Sequence, residues 1–224
     1  PGPVEDGPYP TVVEYSGYQP SDPAQGGLSD ILNALGYAHV GVNMRGSGCS
    51  GGSYQFFEPV QSLDGYDVIE TVATQPWVKD HRVGMVGLSY PGISQLYVAA
   101  TNPPSLAAIS PLAVFDDAQR AIFHPGGLLN TGFAIAWTQG LMDSNAAEGQ
   151  QWAADRIAYG DLECAGNQAL RGQNPDLPAQ IRDEPFWREE FAAPLSPREL
   201  IDRIEVPVFI AGAWQDEQTG SRFA

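Results

Sequence analysis

Gly87-Leu88-Ser89-Tyr90-Pro91-Gly92 places a serine between an apolar run (residues 83–87) and a segment of helical spacing that begins at Tyr90. A serine on a tight strand-to-helix turn holds its hydroxyl above the strand end, where it can attack an acyl carbon. The next backbone N–H, that of Tyr90, points into the same space from a helix N-terminus and can stabilise a developing oxyanion. Small residues before the serine let the turn close without clashes. The competing use of such a serine is as a helix cap. The general form of the turn has glycine two residues after the serine; here that position is Pro91, and Gly92 follows it.

The elements that must hold this serine can be read from hydrophobic periodicity. Residues 11–15, 39–43, 83–87, 106–109 and 208–211 read as strands, and 27–35, 62–74 and 90–101 as helices. Gly36 stops the first helix, Pro76 the second and Asn102-Pro103-Pro104 the third. The run 83–87 is apolar on both faces, as a buried parallel strand is. Alternating strands and helices predict a mostly parallel sheet covered on both sides. Between the fourth and fifth strands lie about a hundred residues without a strand pattern, far more than a crossover needs. Residues 117–122, 128–142, 146–159 and 185–191 have helical spacing there, so the stretch reads as an inserted helical cap. Ser196-Pro197-Arg198-Glu199 then opens a further helix, with serine as cap and proline at the first position. The expected organisation is a core at 1–115, a cap at 116–195 and a continued, incomplete core at 196–224.

Composition narrows the partners. Hydrophobic residues make up 43% and charged residues 17%, a globular balance. The net charge of -16 repels nucleic acid and anionic membranes. No stretch approaches the ~18 apolar residues of a membrane span. The glycine-rich residues 46–52 lack both the P-loop Gly-Lys-Ser/Thr and the dinucleotide-binding pattern. Cys49 and Cys164 are the two cysteines. They read either as unrelated buried thiols or as one disulfide, which would imply export; without it a cytoplasmic location is expected. No Cys/His cluster suggests a metal, and neither metal nor cofactor is expected. The chain starts at Pro1 with no visible signal peptide, and it stops shortly after a strand-like segment. It is therefore expected to be a piece of a longer polypeptide.

Four motifs, in order, resemble the cocaine esterase and X-Pro dipeptidyl-peptidase (CocE/NonD, S15-like) family of α/β-hydrolases. They are Ser16-Gly17-Tyr18, Arg45-Gly46-Ser47-Gly48-Cys49-Ser50-Gly51-Gly52, Gly87-Leu88-Ser89-Tyr90-Pro91-Gly92 and Gly212-Ala213-Trp214-Gln215-Asp216. The family's G-x-S-Y-x-G accounts for the displaced glycine. The resemblance implies an α/β-hydrolase core with an inserted helical cap, truncated before its last elements. It implies Ser89 as nucleophile, the Tyr90 N–H and the Tyr18 phenol as oxyanion donors, and Asp216 as the acid that orients a catalytic histidine. Trp214 would line the pocket or pack beneath the Asp216 loop.

The histidine is the difficulty. The triad order in this fold is serine, acid, histidine, and the eight residues after Asp216 contain none. His39, His81 and His124 all precede the acid, so the base is expected beyond Ala224, and this piece alone is expected to lack normal turnover. Arg45 is expected to tie loops to Asp64 or Asp67. Phe56, Phe57, Trp137, Trp152 and Trp187 are candidates to wall an acyl pocket. The cap also holds many acids, Asp116, Asp117, Asp143, Glu148, Asp155, Asp161 and Glu163 among them, none marked as an amine site. The expected reaction is hydrolysis of a small ester or amide through an acyl-enzyme, esterase or acylase rather than X-Pro peptidase. The alternative is a non-catalytic α/β-hydrolase fold used for binding. The oligomeric state is not legible.

Overall fold

The computed structural model describes residues 2–216, 218 and 219. Four parallel strands form its sheet: β1 (Tyr9–Ser16), β2 (Ala38–Asn43), β3 (Val78–Leu88) and β4 (Leu106–Leu112), in the order β2-β1-β3-β4. The predicted fifth strand is present as two parallel bridges, Ile109 to Val208 and Leu112 to Ala211, which extend the sheet beyond β4. The connections are helical: α1 (Leu28–Ala34), α2 (Pro59–Ala73) and α3 (Tyr90–Ala99). This is a parallel α/β core.

The two sheet faces differ. Val83, Met85 and Gly87 of β3 are buried on the side where α2 and α3 pack. α3 is buried along its whole length, and its polar residues bond to the sheet: Ser94 Oγ donates to the Tyr15 carbonyl at 2.6 Å, and Gln95 Oε1 accepts from the Ser110 N–H at 2.8 Å. Gly84 and Val86 face the other way and are only half-buried. α1 packs on this face, and among the described residues a groove of about 820 Å³ runs along Val12, Leu32, Gly84, Val86, Ala108 and Phe209.

The segment between β4 and Val208 is helical, as expected. A π-helical turn (Gln119–Phe123) precedes α4 (Phe133–Ser144), α5 (Gln151–Ala158), α6 (Leu162–Asn167), α7 (Leu177–Asp183) and α8 (Glu189–Ala192). α6 and α7 have no counterpart in the sequence reading; each starts at an aspartate whose carboxylate accepts a backbone N–H, Asp161 from Cys164 and Asp176 from Ala179. The helix predicted from Ser196 is instead two short 3₁₀ turns, Pro197–Glu199 and Ile201–Arg203. The cap bond fails because Ser196 Oγ turns back to the Ala192 carbonyl.

This insertion grips the glycine-rich loop that follows β2. Cys49 and Cys164 are bonded as a disulfide. Beside it, Arg171 donates to the carbonyls of Gly48, Ser50 and Gly52. Burial pushes its guanidinium down to about 10, so it stays charged at neutral pH. Arg45 of the same loop holds Asp64 through two bonds of 2.5 and 2.6 Å, the structural tie expected of it. The disulfide closes a loop of 115 residues. For a loop of that length, chain-entropy arguments give roughly 5 kcal/mol as an upper value. Cys164→Ser is expected to lower unfolding stability by roughly 2–5 kcal/mol. Urea denaturation with and without reductant checks this: the variant should lose sensitivity to reductant, and unchanged stability would refute the clamp.

Candidate active site

The site is built at the C-terminal ends of the strands, where open parallel sheets hold their ligands. Ser89 sits between β3 and α3 at φ 65°, ψ -124°. A positive φ on a non-glycine residue costs on the order of 1–3 kcal/mol and persists only where surroundings hold it. Here they do. The Ser89 N–H donates to the Leu112 carbonyl at 2.9 Å, and the Ser89 carbonyl accepts from Gly92 and Ile93 at 2.8 Å. The turn is too tight for larger neighbours. A Cβ on Gly87 would lie 2.6 Å from Pro91 Cβ, and one on Gly92 would lie 2.6 Å from the Leu112 carbonyl oxygen. Gly92, one position later than usual, is thus required by β4. The Ser89 side chain makes no cap hydrogen bond, which removes the helix-cap alternative and leaves its hydroxyl for other work.

Tyr18 lies on the loop after β1, the neighbour of β3. Its ring meets that of Tyr90 at 5.3 Å between centroids. The Tyr18 backbone is clamped from both layers: its N–H donates to Ser16 Oγ, and its carbonyl accepts from Asn43 Nδ2 and Gln150 Nε2, each at 2.9 Å. Asn145 Nδ2 holds the Gly17 carbonyl, and Gln150 Nε2 also reaches Asn145 Oδ1. Asn43, Asn145 and Gln150 are all buried. None was singled out in the sequence. Only Asn43, a polar residue ending a strand beside the glycine loop, carried a local signal.

Tyr90 is fully buried. Tyr54 Oη donates to its hydroxyl at 2.9 Å, and burial raises both phenols well above their ordinary range, so both are neutral. Phe57 stacks on the other side of Tyr90 at 4.5 Å. Phe56 and Trp137 each lie about 6.1 Å from one another and Trp137 from Tyr90 by the same distance. Trp137 Nε1 donates to Tyr18 Oη at 2.9 Å. A cavity of about 450 Å³ opens beside this pair, lined by Tyr18, Gln19, Gln25, Trp137, Leu141 and Ser144. That is the size of a small-molecule site.

The other aromatics stand elsewhere. Phe57 is buried in the core. Trp152 donates to Gln150 Oε1 and borders the disulfide, and Trp187 donates to Asp117 Oδ2 beneath Arg120. Trp214 is 94% exposed among the described residues, which leave it unenclosed. Asp216 follows the segment that bridges to β4. Leu88 and Ala211 pair with Leu112 from opposite sides, which sets Asp216 and Ser89 at the same sheet edge. The Asp216 carboxylate accepts from the N–H groups of Gln218 and Thr219 and from the Thr219 hydroxyl. Residues 220–224 lie outside those described.

The histidines do not join this group. His39 stands 3.2 Å from the Glu14 carboxylate near the N-terminal end of β2, and His81 donates to the Ala73 carbonyl near the start of β3. His124, in the insertion, meets Gln119 Nε2 through Nδ1, and burial lowers its pKa, which keeps it neutral.

Comparison with known proteins agrees with this architecture. The sequence matches the family described as X-Pro dipeptidyl-peptidase (S15 family) over residues 1–223. It is 28% identical to the cocaine esterase of Rhodococcus sp. (strain MB1 Bresler) across 97% of this chain and 41% of that enzyme. The chain thus spans about two-fifths of that relative's length. Among solved structures, a CocE/NonD family hydrolase from Staphylococcus aureus aligns with a TM-score of 0.67 at 22% identity, over 90% of this chain and 35% of the other. An aminopeptidase from a Thaumarchaeota archaeon of marine sediment aligns at 0.74 and 17%, over 95% and 40%. An α-amino acid ester hydrolase aligns at 0.69 and 16%, over 95% and 39%. At these identities the structures attest the fold. The family match spans almost the whole chain, and the chain belongs to the X-Pro dipeptidyl-peptidase (S15) family, the CocE/NonD hydrolases of the α/β-hydrolase fold.

Proposed function

We propose that this chain carries the nucleophile and oxyanion site of a serine hydrolase that cleaves small esters or amides through an acyl-enzyme on Ser89. The observation that carries the reading is the strained Ser89 turn with its side chain unused as a cap. Strain held at one residue by bonds from β4 and α3 is a feature of functional turns. Ser89 Oγ attacks the acyl carbonyl, and the carbonyl oxygen becomes an oxyanion received by the Tyr90 N–H and the Tyr18 O–H. The base takes the Ser89 proton and returns it to the leaving group, and water then repeats the sequence to release the acid. This chemistry needs neither metal nor cofactor.

Each described histidine is engaged elsewhere, so the base is assigned to polypeptide outside these residues, with Asp216 at the right edge to orient it. The names of relatives, a cocaine esterase and an α-amino acid ester hydrolase, favour esters and acyl amides. X-Pro dipeptide release is a narrower option that would need a carboxylate for the substrate amine. Asp117, the most buried candidate, is already paired with Arg120 and Trp187. The Cys49–Cys164 bond supports an oxidising compartment.

A fluorophosphonate tests the central assignment. Incubation with the full-length protein is expected to label one residue, Ser89, by peptide mass mapping. Absence of label at Ser89 would sink the nucleophile and favour a binding protein on the same fold.

A further inference from the structure

The bond between Trp137 and Tyr18 has a direction. An indole N–H is a donor only, so at 2.9 Å Tyr18 Oη must accept. The phenol keeps its own proton and a remaining lone pair. Among the described residues, no acceptor takes that proton. Trp137 is itself held: Phe133 stacks on it with planes 15° apart at 6.1 Å, and Phe56 and Tyr90 flank it. It stands on α4, in the helical insertion, whereas Tyr18 belongs to the sheet.

We propose that Trp137 is a positioning residue for the oxyanion site: its indole N–H occupies one lone pair of Tyr18 Oη and so directs the phenol proton away from α4, toward the substrate oxygen. The proposal rests on the serine hydrolase reading and deepens it. It has two physical consequences. The hydroxyl rotor, otherwise free about its C–O bond, is restricted before substrate arrives. A donor that is itself accepting a hydrogen bond is polarised and donates more strongly. The insertion therefore supplies part of the oxyanion machinery, besides covering it. A wall role predicts something different, because a wall depends on the size of the indole and not on its N–H.

Two substitutions separate these roles. Trp137→Phe keeps a ring and deletes the donor. Trp137→His deletes the benzene ring but places Nε2 near the former Nε1. Both are measured in the full-length protein at pH 8, where imidazole is neutral, with an activated aryl ester. Trp137→Phe is expected to lower kcat about tenfold with KM within about twofold. Trp137→His should recover most of that loss. In a Tyr18→Phe background, Trp137→Phe should change kcat by less than about twofold, because the bond it removes no longer serves an oxyanion donor. The proposal is overturned if Trp137→His is worse than Trp137→Phe, if KM rises while kcat holds, or if the loss is equal in both backgrounds. Failure of the underlying reading looks different: Ser89 is not labelled by fluorophosphonate, and Tyr18→Phe has wild-type kcat. If Trp137→Phe unfolds, Trp137→Leu, which also lacks the donor, is measured with and without Tyr18→Phe and judged by the same criterion of unequal losses.

Discussion

Ser89→Ala in the full-length protein should lower kcat/KM for an activated ester by about 10⁴- to 10⁶-fold. The size of the loss follows from the role proposed for the serine: if Ser89 is the nucleophile, no acyl-enzyme forms without Oγ, and what remains is uncatalysed attack of water on a bound, polarised carbonyl. Stability should respond differently from activity. The Ser89 backbone, at φ 65° and ψ -124°, lies in a region where glycine is the residue without steric cost. Alanine has the same Cβ problem as serine, so Ser89→Ala should leave the unfolding midpoint nearly unchanged. Ser89→Gly should be equally inactive yet more stable by about 1 kcal/mol. Activity assays paired with chemical denaturation check both halves. A Ser89→Ala variant that retains more than about a hundredth of activity would place the nucleophile elsewhere. A Ser89→Gly variant no more stable than the parent would show that the turn stores no strain.

What the sequence disclosed about this site was local. The β3-to-α3 turn needs only a glycine-flanked serine between an apolar run and a helical one, and those neighbours are adjacent in the chain. The same holds for the strand identities and for α2 and α3, whose periodicities are intact. The clamp on Tyr18 was not legible. Gln150 reaches the Tyr18 carbonyl across 132 residues, Asn145 reaches Gly17 across 128, and Trp137 reaches Tyr18 across 119. A buried amide in a helical segment looks like any surface amide until its partner is known. Phe56 and Trp137 read as pocket aromatics from side-chain type alone, and Trp214 from the resemblance; the fold sets Trp137 against Tyr18, while Trp214 is exposed among the described residues. Cys49 and Cys164 illustrate the limit in the other direction. Their pairing was one of two readings, and the approach of α6 to the glycine-rich loop decided it.

Tyr18→Phe should lower kcat by about 10²- to 10³-fold with little change in KM, the effect of deleting one oxyanion donor. The donor serves charge that exists only in the transition state, so ground-state binding should hardly register its loss. The substitution is well placed for a clean result. The Tyr18 ring packs against Tyr90, and its backbone is fixed by Ser16, Asn43 and Gln150, none of which touches the hydroxyl. Phenylalanine keeps all of this but takes the acceptor from the half-buried Trp137 N–H, so stability should fall by no more than about 1 kcal/mol. Tyr54→Phe is the instructive contrast. It also deletes one phenol oxygen in the same aromatic cluster, but that oxygen is fully buried and spends its proton on Tyr90. Its loss should cost about 1–2 kcal/mol of stability and leave kcat within severalfold. The two tyrosines would thus separate along different axes, one on rate and one on stability. A loss of stability without a loss of kcat in both variants would show that the Tyr18 hydroxyl is packing like its neighbour and that the second oxyanion donor lies elsewhere. A kcat loss confined to Tyr18 fits a site in which the sheet supplies the nucleophile and one N–H, while a loop clamped between sheet and helical insertion supplies the other donor.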